Sequence, residues 1–296
     1  MKSIACTISV LALALLAGCQ CQPTHNAYGF DLRPRYEREV KFVAHRGEST
    51  VAPENTVPAY ELAWRNNAAW GVETDVYLTK DGVLVCDHDG DTTRTAGVPG
   101  KIADKTLAEL KALDVGSWKG PQWYGTRIPT LREVLATIPQ DGHIFVEIKS
   151  AGEGFKEAFQ AAFDGSGVRL DQISFISFNP DELTRIRQIL PDNRTLLLLV
   201  IHDKDGKPSP SAEELIARLQ QLDFTGADVF TENNLVDAEY IKKVHDAGFE
   251  IHFWTINDTP TAKLLVERGA DSITTDRSKA MFAEWNQVDA LKVDKK

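Results

Sequence analysis

The sequence contains few cysteines and no cluster of them. Four occur in 296 residues, and two of these, Cys6 and Cys19, lie in an apolar stretch at the N-terminus. The remaining Cys21 and Cys86 make no disulfide framework, and no group of cysteines has the spacing of a zinc site. Cys86 alternates into an apolar run, which indicates a small buried residue. A disulfide-stapled domain and a cysteine zinc site are therefore not expected.

Basic runs are also lacking. The formal net charge is −10, and no basic patch interleaved with aromatic residues is present. This argues against nucleic acid as the main partner, because no basic run or patch is available to neutralise a row of phosphates. A small anionic substrate remains compatible with this charge, because screening over about 8 Å leaves the local charges of a cleft in control.

The N-terminus carries an apolar run, "ISVLALALLAG" at 8–18, after Lys2. The run is too short for a membrane span and is typical of an export signal over residues 1–18. Its end, "LAGC" at 16–19, resembles the lipobox of bacterial lipoproteins, which predicts lipidation of Cys19. The alternative is an ordinary secretory signal with a chance cysteine. We expect export and anchoring to the bacterial cell envelope, on the periplasmic face of a membrane in a Gram-negative cell.

Residues 19–40 show no clear period and are predicted to form a tether. After them, strand-like apolar runs alternate with helix-like stretches, most of which begin near a capping residue or a proline. Eight runs qualify: "KFVAH" at 41, "GVETDVYL" at 71, "HIFVEIK" at 143, "ISFISF" at 173, "TLLLLV" at 195, "DVFTE" at 228, "EIHFWTI" at 250 and "DSITTD" at 271.

Alternation through eight units, over about the 250 residues typical of the architecture, predicts a TIM-type (β/α)₈ barrel. The alternative is an open doubly wound sheet. The predicted barrel domain spans residues 41–290. The interval of about 78–142 is too long for a simple crossover, so we interpret it as an insertion after the second strand, with a short hairpin and helix of its own.

Three acids in these strands are candidate metal ligands. Glu73 and Asp75 are two apart on one strand, so their side chains point to the same face. Buried together, two carboxylates would repel one another unless a cation joined them. Glu147 is a third candidate, and oxygen ligands suit Ca²⁺ or Mg²⁺. The alternatives are an exposed strand face for the first two and an ion pair with Lys149 for Glu147.

Two histidines are candidates for acid and base catalysis. His45 ends the first apolar run, next to Arg46, and His88 follows another apolar run within "VCDHDGD". Asp87 or Asp89 could orient the ring of His88. A histidine pair is suited to a reaction in which one hydroxyl attacks phosphorus and another leaves.

The motifs "HRG" at 45, "PENT" at 53, "ETD" at 73, "TKDGVLVCDHD" at 79, "IPTLREVL" at 128, "VEIK" at 146, "FWTIND" at 253 and "ITTD" at 273 occur in the order seen in glycerophosphodiester phosphodiesterases. The chain resembles that family over residues 41–277. The resemblance implies a barrel with an insertion after its second strand, one divalent cation on Glu73, Asp75 and Glu147, and catalytic His45 and His88.

Further roles follow from the resemblance. It implies that Arg46 and Lys149 stabilise charge on the substrate phosphate, at the carboxyl mouth of the barrel. Glu54 could fix the first loop, approach the metal or cap a helix. Trp254 is expected in the cleft wall, with a core position as the alternative.

The expected activity is hydrolysis of glycerophosphodiesters to sn-glycerol 3-phosphate and an alcohol. A barrel phospholipase or sphingomyelinase-type enzyme acting on intact lipid headgroups is one alternative. A lipoprotein that binds phosphodiesters without catalysis is the other.

Overall fold

The computed structural model describes residues 40–65, 68–150 and 152–293. The predicted export signal, Cys19 and nearly all of the predicted tether lie outside these residues. Within the described ranges, no helix combines the length and the apolar character that crossing a membrane requires.

Eight parallel strands close into a barrel. β1 pairs with β10 on one side and with β2 on the other, so the sheet has no free edge at this point. This closure confirms the predicted barrel and rules out the open doubly wound sheet. The eight strands are β1 (Phe42–Ala44), β2 (Gly71–Leu78), β4 (His143–Ile148), β5 (Ile173–Ser177), β6 (Arg194–Lys204), β8 (Gly226–Thr231), β9 (Glu250–Phe253) and β10 (Ile273–Thr275).

Helices follow the strands, and many begin where the sequence offers a capping group. Thr130 and Glu133 form a reciprocal capping box at one helix, as do Ser211 and Glu214 at another, so two backbone donors are satisfied at each. The helices are α1 (Val57–Trp64), α2 (Thr93–Ala96), α3 (Leu107–Lys111), α4 (Leu131–Leu135), α5 (Phe155–Phe163), α6 (Pro180–Ile189), α7 (Ala212–Leu222), α8 (Ala238–Asp246), α9 (Thr259–Arg268) and α10 (Ser278–Val293).

The barrel strands are buried on both faces. Outward-facing residues such as Val72 and Val76 pack in the large core beneath the helices. Inward-facing residues form a second cluster, which contains Val43, Phe145, Ile176, Leu196 and Leu198. Because side chains alternate between these two faces, a polar residue two positions from an inward-facing one also points into the barrel.

The segment between β2 and β4 forms the predicted insertion. Strand β3 (Leu84–Cys86) pairs antiparallel with β2. The expected hairpin is therefore formed by β3 and the barrel strand β2. The insertion has its own apolar cluster of Val85, Ile102, Leu110, Val115 and Ile128. Since β3 follows the carboxyl end of β2, the insertion lies at the mouth of the barrel.

A second hairpin was not predicted from the sequence. Strand β7 (Lys207–Ser209) pairs antiparallel with the end of β6, which extends beyond the apolar run that marked it. The extension is polar, with Asp203 and Lys204 exposed, so apolar periodicity gives no sign of it.

Candidate active site

Three carboxylates meet at the mouth of the barrel. Glu73 and Asp75 project from β2, and Asp75 is in register with Glu147 on the adjacent β4. One oxygen from each residue lies within 4.8 Å of the others, and all three side chains are buried. The spacing of two along β2 and the pairing of β2 with β4 thus bring together the acids that the sequence suggested.

The three acids differ in their electrostatic environments. Burial and the neighbouring Asp75 raise the pKa of Glu73 well above its usual range. Burial, again with Asp75, raises the pKa of Glu147 to about 7. Burial opposes ionisation of Asp75 as well, but Lys149 and Arg46 outweigh it and lower the pKa of Asp75 to about 2. The cluster therefore favours one ionised carboxylate and would gain from additional positive charge.

The cluster suits a divalent cation. The Oε1 atom of Glu73 is buried and has no hydrogen-bond partner among the described residues. A buried carboxylate oxygen without a partner is costly, and hard oxygen donors are the ligands that Ca²⁺ and Mg²⁺ prefer. These three residues are thus a chemically suitable ligand set.

Lys149 lies between two of the acids. Its Nζ atom is 2.7 Å from Oε1 of Glu147 and 2.9 Å from Oδ1 of Asp75. The ion pair that the sequence offered as an alternative is therefore present, and it coexists with the three-acid cluster. Burial alone would lower the pKa of Lys149, but both carboxylates together raise it above its usual value, so the ammonium group is a fixed positive charge at the cleft.

The loop after β1 holds Arg46 over the same acids. Its backbone N–H donates to Glu73 Oε2 at 3.0 Å, and its Nη1 donates to Glu54 Oε1 at 2.9 Å. Arg46 has a φ of 56°, in the left-handed region that non-glycine residues rarely occupy. The next residue, Gly47, has a φ of 82°, and a Cβ there would lie 2.7 Å from Ala59. The strained turn aims the guanidinium group into the cleft, which fits a functional role.

The "PENT" segment at 53–56 contacts both this loop and the acid cluster. Asn55 donates from Nδ2 to Asp75 Oδ2 at 2.7 Å and accepts at Oδ1 from Tyr60. Glu54 also accepts two hydrogen bonds from Arg94, at 2.9 and 2.8 Å. The N-cap of α1 is Thr56, so Glu54 is not the capping residue and instead joins two arginines.

The two candidate histidines line one cleft, and each has a carboxylate partner. Nδ1 of His45 is 2.7 Å from Asp276 Oδ1, and Nδ1 of His88 is 2.8 Å from Asp89 Oδ1. Asp89 is thus the orienting residue beside His88. Asp87 instead accepts hydrogen bonds from the backbone of Asp89 and Gly90. Burial lowers the pKa of His88, against the opposing effects of Asp75 and Asp89.

Asp276 is a site residue that sequence reasoning did not single out. Burial would raise its pKa, but the hydrogen bond and charge of His45 lower it to about 2, so it is an ionised partner. The other carboxylate oxygen of Asp276, Oδ2, accepts a hydrogen bond from Asn257 Nδ2 at 2.7 Å. The available signal was its position at the end of "ITTD", because carboxyl ends of barrel strands meet at the mouth.

Aromatic side chains form the opposite wall of the cleft, whose volume is about 180 Å³. Trp254 is half-buried in this wall, and its Nε1 donates to the backbone oxygen of Asp228 at 3.0 Å. Phe178 packs edge-on against its ring at 5.4 Å, and Phe230 lies at 5.9 Å. One side of the cleft is therefore charged and the other largely apolar.

Comparisons with known proteins agree with this geometry. Residues 45–280 match the model of the glycerophosphoryl diester phosphodiesterase family. YhdW of Bacillus subtilis (strain 168) is 33% identical over 244 residues, covering 79% of this chain and 93% of YhdW. A glycerophosphodiester phosphodiesterase of Caldanaerobacter subterraneus is 32% identical over 238 residues, covering 79% of this chain and 93% of that protein.

A solved structure is similar over nearly its whole length. It is an Oleispira antarctica phosphodiesterase in complex with the product sn-glycerol-3-phosphate. The TM-score is 0.73 at 30% sequence identity, and the match covers 85% of this chain and 98% of that one.

Proposed function

The chain belongs to the glycerophosphoryl diester phosphodiesterase family, and we propose that it hydrolyses glycerophosphodiesters to sn-glycerol 3-phosphate and an alcohol with one divalent cation. It is thus a phosphoric diester hydrolase. The observation that carries the proposal is the convergence, in one cleft, of three clustered acids and two histidines with carboxylate partners.

Glu73, Asp75 and Glu147 would hold the cation, which is Ca²⁺ or Mg²⁺ because all three donors are carboxylate oxygens. When bound, the cation supplies positive charge for the phosphoryl oxygens. Arg46 and Lys149 line the same cleft and bind those oxygens as well, and a guanidinium group does so with two parallel hydrogen bonds. These positive charges compensate the charge that develops on phosphorus-bound oxygen in the transition state.

The two histidines move protons in opposite directions. His45, held at Nδ1 by Asp276, accepts the proton of the attacking hydroxyl, which is water or the glycerol 2-hydroxyl in a route through a cyclic phosphate. His88, held by Asp89, donates a proton to the oxygen of the leaving alcohol. The aromatic wall around Trp254 contacts the carbon chain of the substrate.

The proposal is tested by removing the cation and restoring it. We expect hydrolysis of glycerophosphocholine to stop after exhaustive chelation and to return with Ca²⁺ or Mg²⁺. Metal at about 100 times its dissociation constant should also stabilise the fold by about 2.7 kcal/mol, which a thermal melt measures without substrate. Glu147→Gln is the matched variant, in which the thermal response should weaken. Full activity in protein shown to be metal-free by elemental analysis would refute the metal site.

We also propose that the chain is exported and anchored to the cell envelope by lipid on Cys19. The "LAGC" sequence at 16–19 supports this, and acyl chains contribute about 0.8 kcal/mol of membrane affinity per buried methylene group. Cys19→Ala should abolish incorporation of labelled palmitate and release the protein from membranes. Persistent label in that variant, or no label in the wild type, would contradict lipidation.

A further inference from the structure

His88 lies on a loop of the insertion rather than on a barrel strand. Strand β3 ends at Cys86, two residues earlier, and the His88 side chain is 35% exposed. His45, in contrast, directly follows barrel strand β1, and its backbone N–H donates to the backbone oxygen of Thr275 at 2.9 Å. A proton donor must be held within hydrogen-bond reach of its target, so the loop of His88 needs another group to fix it.

The carboxylate of Asp87 binds the backbone of this loop. Its Oδ1 atom accepts the N–H of Asp89 at 2.9 Å and the N–H of Gly90 at 2.8 Å. Asp87 is 4% exposed, so water competes little for these two hydrogen bonds. They close the chain around His88 into a tight turn over residues 87–90.

Contacts with β2 hold the same turn on another side. The hydroxyl group of Tyr77 donates to the backbone oxygen of His88 at 3.4 Å. Gly90 has a φ of 67°, and a Cβ there would lie 2.7 Å from the Tyr77 ring. The backbone N–H of Asp87 donates to the backbone oxygen of Asp75 at 3.1 Å. The turn is thus joined to the strand that carries two of the proposed metal ligands.

The turn also sets the position of the pair formed by His88 and Asp89. The N–H that Asp87 binds belongs to the residue whose Oδ1 lies 2.8 Å from His88 Nδ1. The other oxygen of Asp89 accepts from Arg94 Nε at 2.6 Å. Since Nδ1 of His88 is engaged by Asp89, Nε2 is the nitrogen left to donate a proton to the substrate.

We propose that Asp87 is a positioning residue for His88, because its carboxylate fixes the turn from which the ring reaches the leaving alcohol. This inference rests on the proposed function. As the bond from phosphorus to the alcohol oxygen breaks, that oxygen keeps the bonding pair and takes the proton of His88, so a neutral alcohol departs. In the described part of the chain, the acid cluster suited to a metal consists of Glu73, Asp75 and Glu147, so Asp87 acts outside that ligand set.

Support of the metal cluster is the competing interpretation, because Asp87 donates to the backbone of Asp75. The two interpretations predict different dependence on the substrate. Misplacement of a proton donor slows only the departure of a leaving group that needs a proton. A disturbed metal site slows the hydrolysis of every phosphodiester.

The test compares two diesters of sn-glycerol 3-phosphate, one with choline and one with p-nitrophenol. The p-nitrophenolate anion is stable at neutral pH and departs without a proton. Asp87→Ala should lower kcat for glycerophosphocholine about 10- to 100-fold with KM little changed, and kcat for the p-nitrophenyl ester less than about 3-fold. His88→Ala should show the same selectivity between the two esters. Asp87→Asn keeps an oxygen acceptor for the two backbone N–H groups and should recover most of the loss.

Two further variants control for general loosening of the insertion. Asp114 is a matched anchor elsewhere in the insertion, where its Oδ1 accepts the N–H of Gly116 at 2.8 Å and of Ser117 at 2.9 Å. Asp114→Ala should leave kcat for both esters within about 2-fold of the wild type. Adding Asp87→Ala to His88→Ala should lower kcat for glycerophosphocholine less than about 2-fold further, because residues that act as a unit are not additive.

The outcomes separate the positioning role from the proposed reaction. Equal losses for both esters in Asp87→Ala would overturn the positioning role alone, provided that the wild type releases choline. Additive effects in the double variant, or an equal loss in Asp114→Ala, would overturn it as well. A wild type that releases no choline from glycerophosphocholine would refute the proposed function and the positioning role with it.

Discussion

One pair of histidines lies at the mouth of the barrel and another lies in its interior, and the two pairs differ in their access to the cleft. His45 and His88 line the cleft at the mouth, and each contacts a carboxylate through Nδ1. His143 and His252 are buried in the interior and contact serine hydroxyls, at 2.9 Å and 2.8 Å. The Nε2 atom of His252 also lies 3.5 Å from Glu250 Oε2.

The interior pair is surrounded by aromatic rings. Trp70 stacks on His143 at 4.6 Å, and Phe145 packs edge-on against both His143 and His252. Burial lowers the pKa of His143 well below its usual value, and Arg194 and His252 act in the same direction, so the ring is neutral. Residue type alone therefore does not identify a candidate catalytic histidine, and neither does a nearby carboxylate, because Glu250 lies beside the buried His252. Access to the open cleft is what distinguishes His45 and His88.

Removing a mouth histidine should have the largest effect on turnover. We expect His45→Ala and His88→Ala each to lower kcat by about 10²- to 10⁴-fold, because each proton transfer loses its carrier. Circular dichroism should stay unchanged. A variant that retains nearly full kcat would exclude that histidine from the chemistry and remove the distinction between the two pairs.

Removing the carboxylate partner of His45 should have an intermediate effect. Asp276→Asn keeps the shape of the side chain but takes away the charge that orients the ring and stabilises its protonated form. We expect kcat to fall about 10- to 10³-fold with KM little changed, because the carboxylate orients the ring that accepts the proton. A kcat within about 2-fold of the wild type would show that Asp276 does not position His45.

Replacing an interior histidine should have the smallest effect on turnover and should change stability instead. Because the pKa of His143 is lower in the folded than in the unfolded chain, its neutral form stabilises the fold above the unfolded pKa of about 6.5. This contribution is lost as the pH falls below that value. His143→Gln should therefore lose less stability than the wild type between about pH 7 and pH 5, with kcat within about 2-fold.

Urea denaturation of both proteins across that pH range measures the difference directly. If the free energy of unfolding changed with pH equally in both proteins, the pKa of His143 would be the same in the folded and the unfolded chain, against the prediction. A large loss of kcat in His143→Gln would show that the interior pair takes part in the reaction.

The strands and many site residues were predictable because their signals are local. All eight apolar runs correspond to barrel strands, since strands buried on both faces are nearly continuous in apolar residues. Glu73 and Asp75 were recognisable because the period of two puts them on one face. His45 and Arg46 were recognisable because they interrupt an apolar strand at its carboxyl end.

Other site residues had no such local signal. Asp276 is 231 positions from His45, and only the pairing of β10 with β1 brings the two side chains together. Arg94 lies in a short helix of the insertion and reaches Glu54 across 40 residues. Asp228 and Thr274 line the cleft, and each has a side-chain oxygen without a hydrogen-bond partner among the described residues. The sequence does not distinguish them from strand residues whose side chains are hydrogen-bonded.

The sequence by itself determined the number of barrel strands, the faces of their side chains, the position of the insertion and the residue types at the mouth. These properties depend on hydrophobic period and turn chemistry over a few neighbouring residues. The tertiary structure alone decided which carboxylate contacts each histidine and which basic side chains lie among the acids. It also decided which buried polar atoms lack a hydrogen-bond partner among the described residues. The physical reason is distance along the chain: His45 and Asp276 are 231 positions apart, and they meet only because β1 pairs with β10. His88 and Asp89 are neighbours in the sequence, so only the choice between Asp87 and Asp89 depended on the structure.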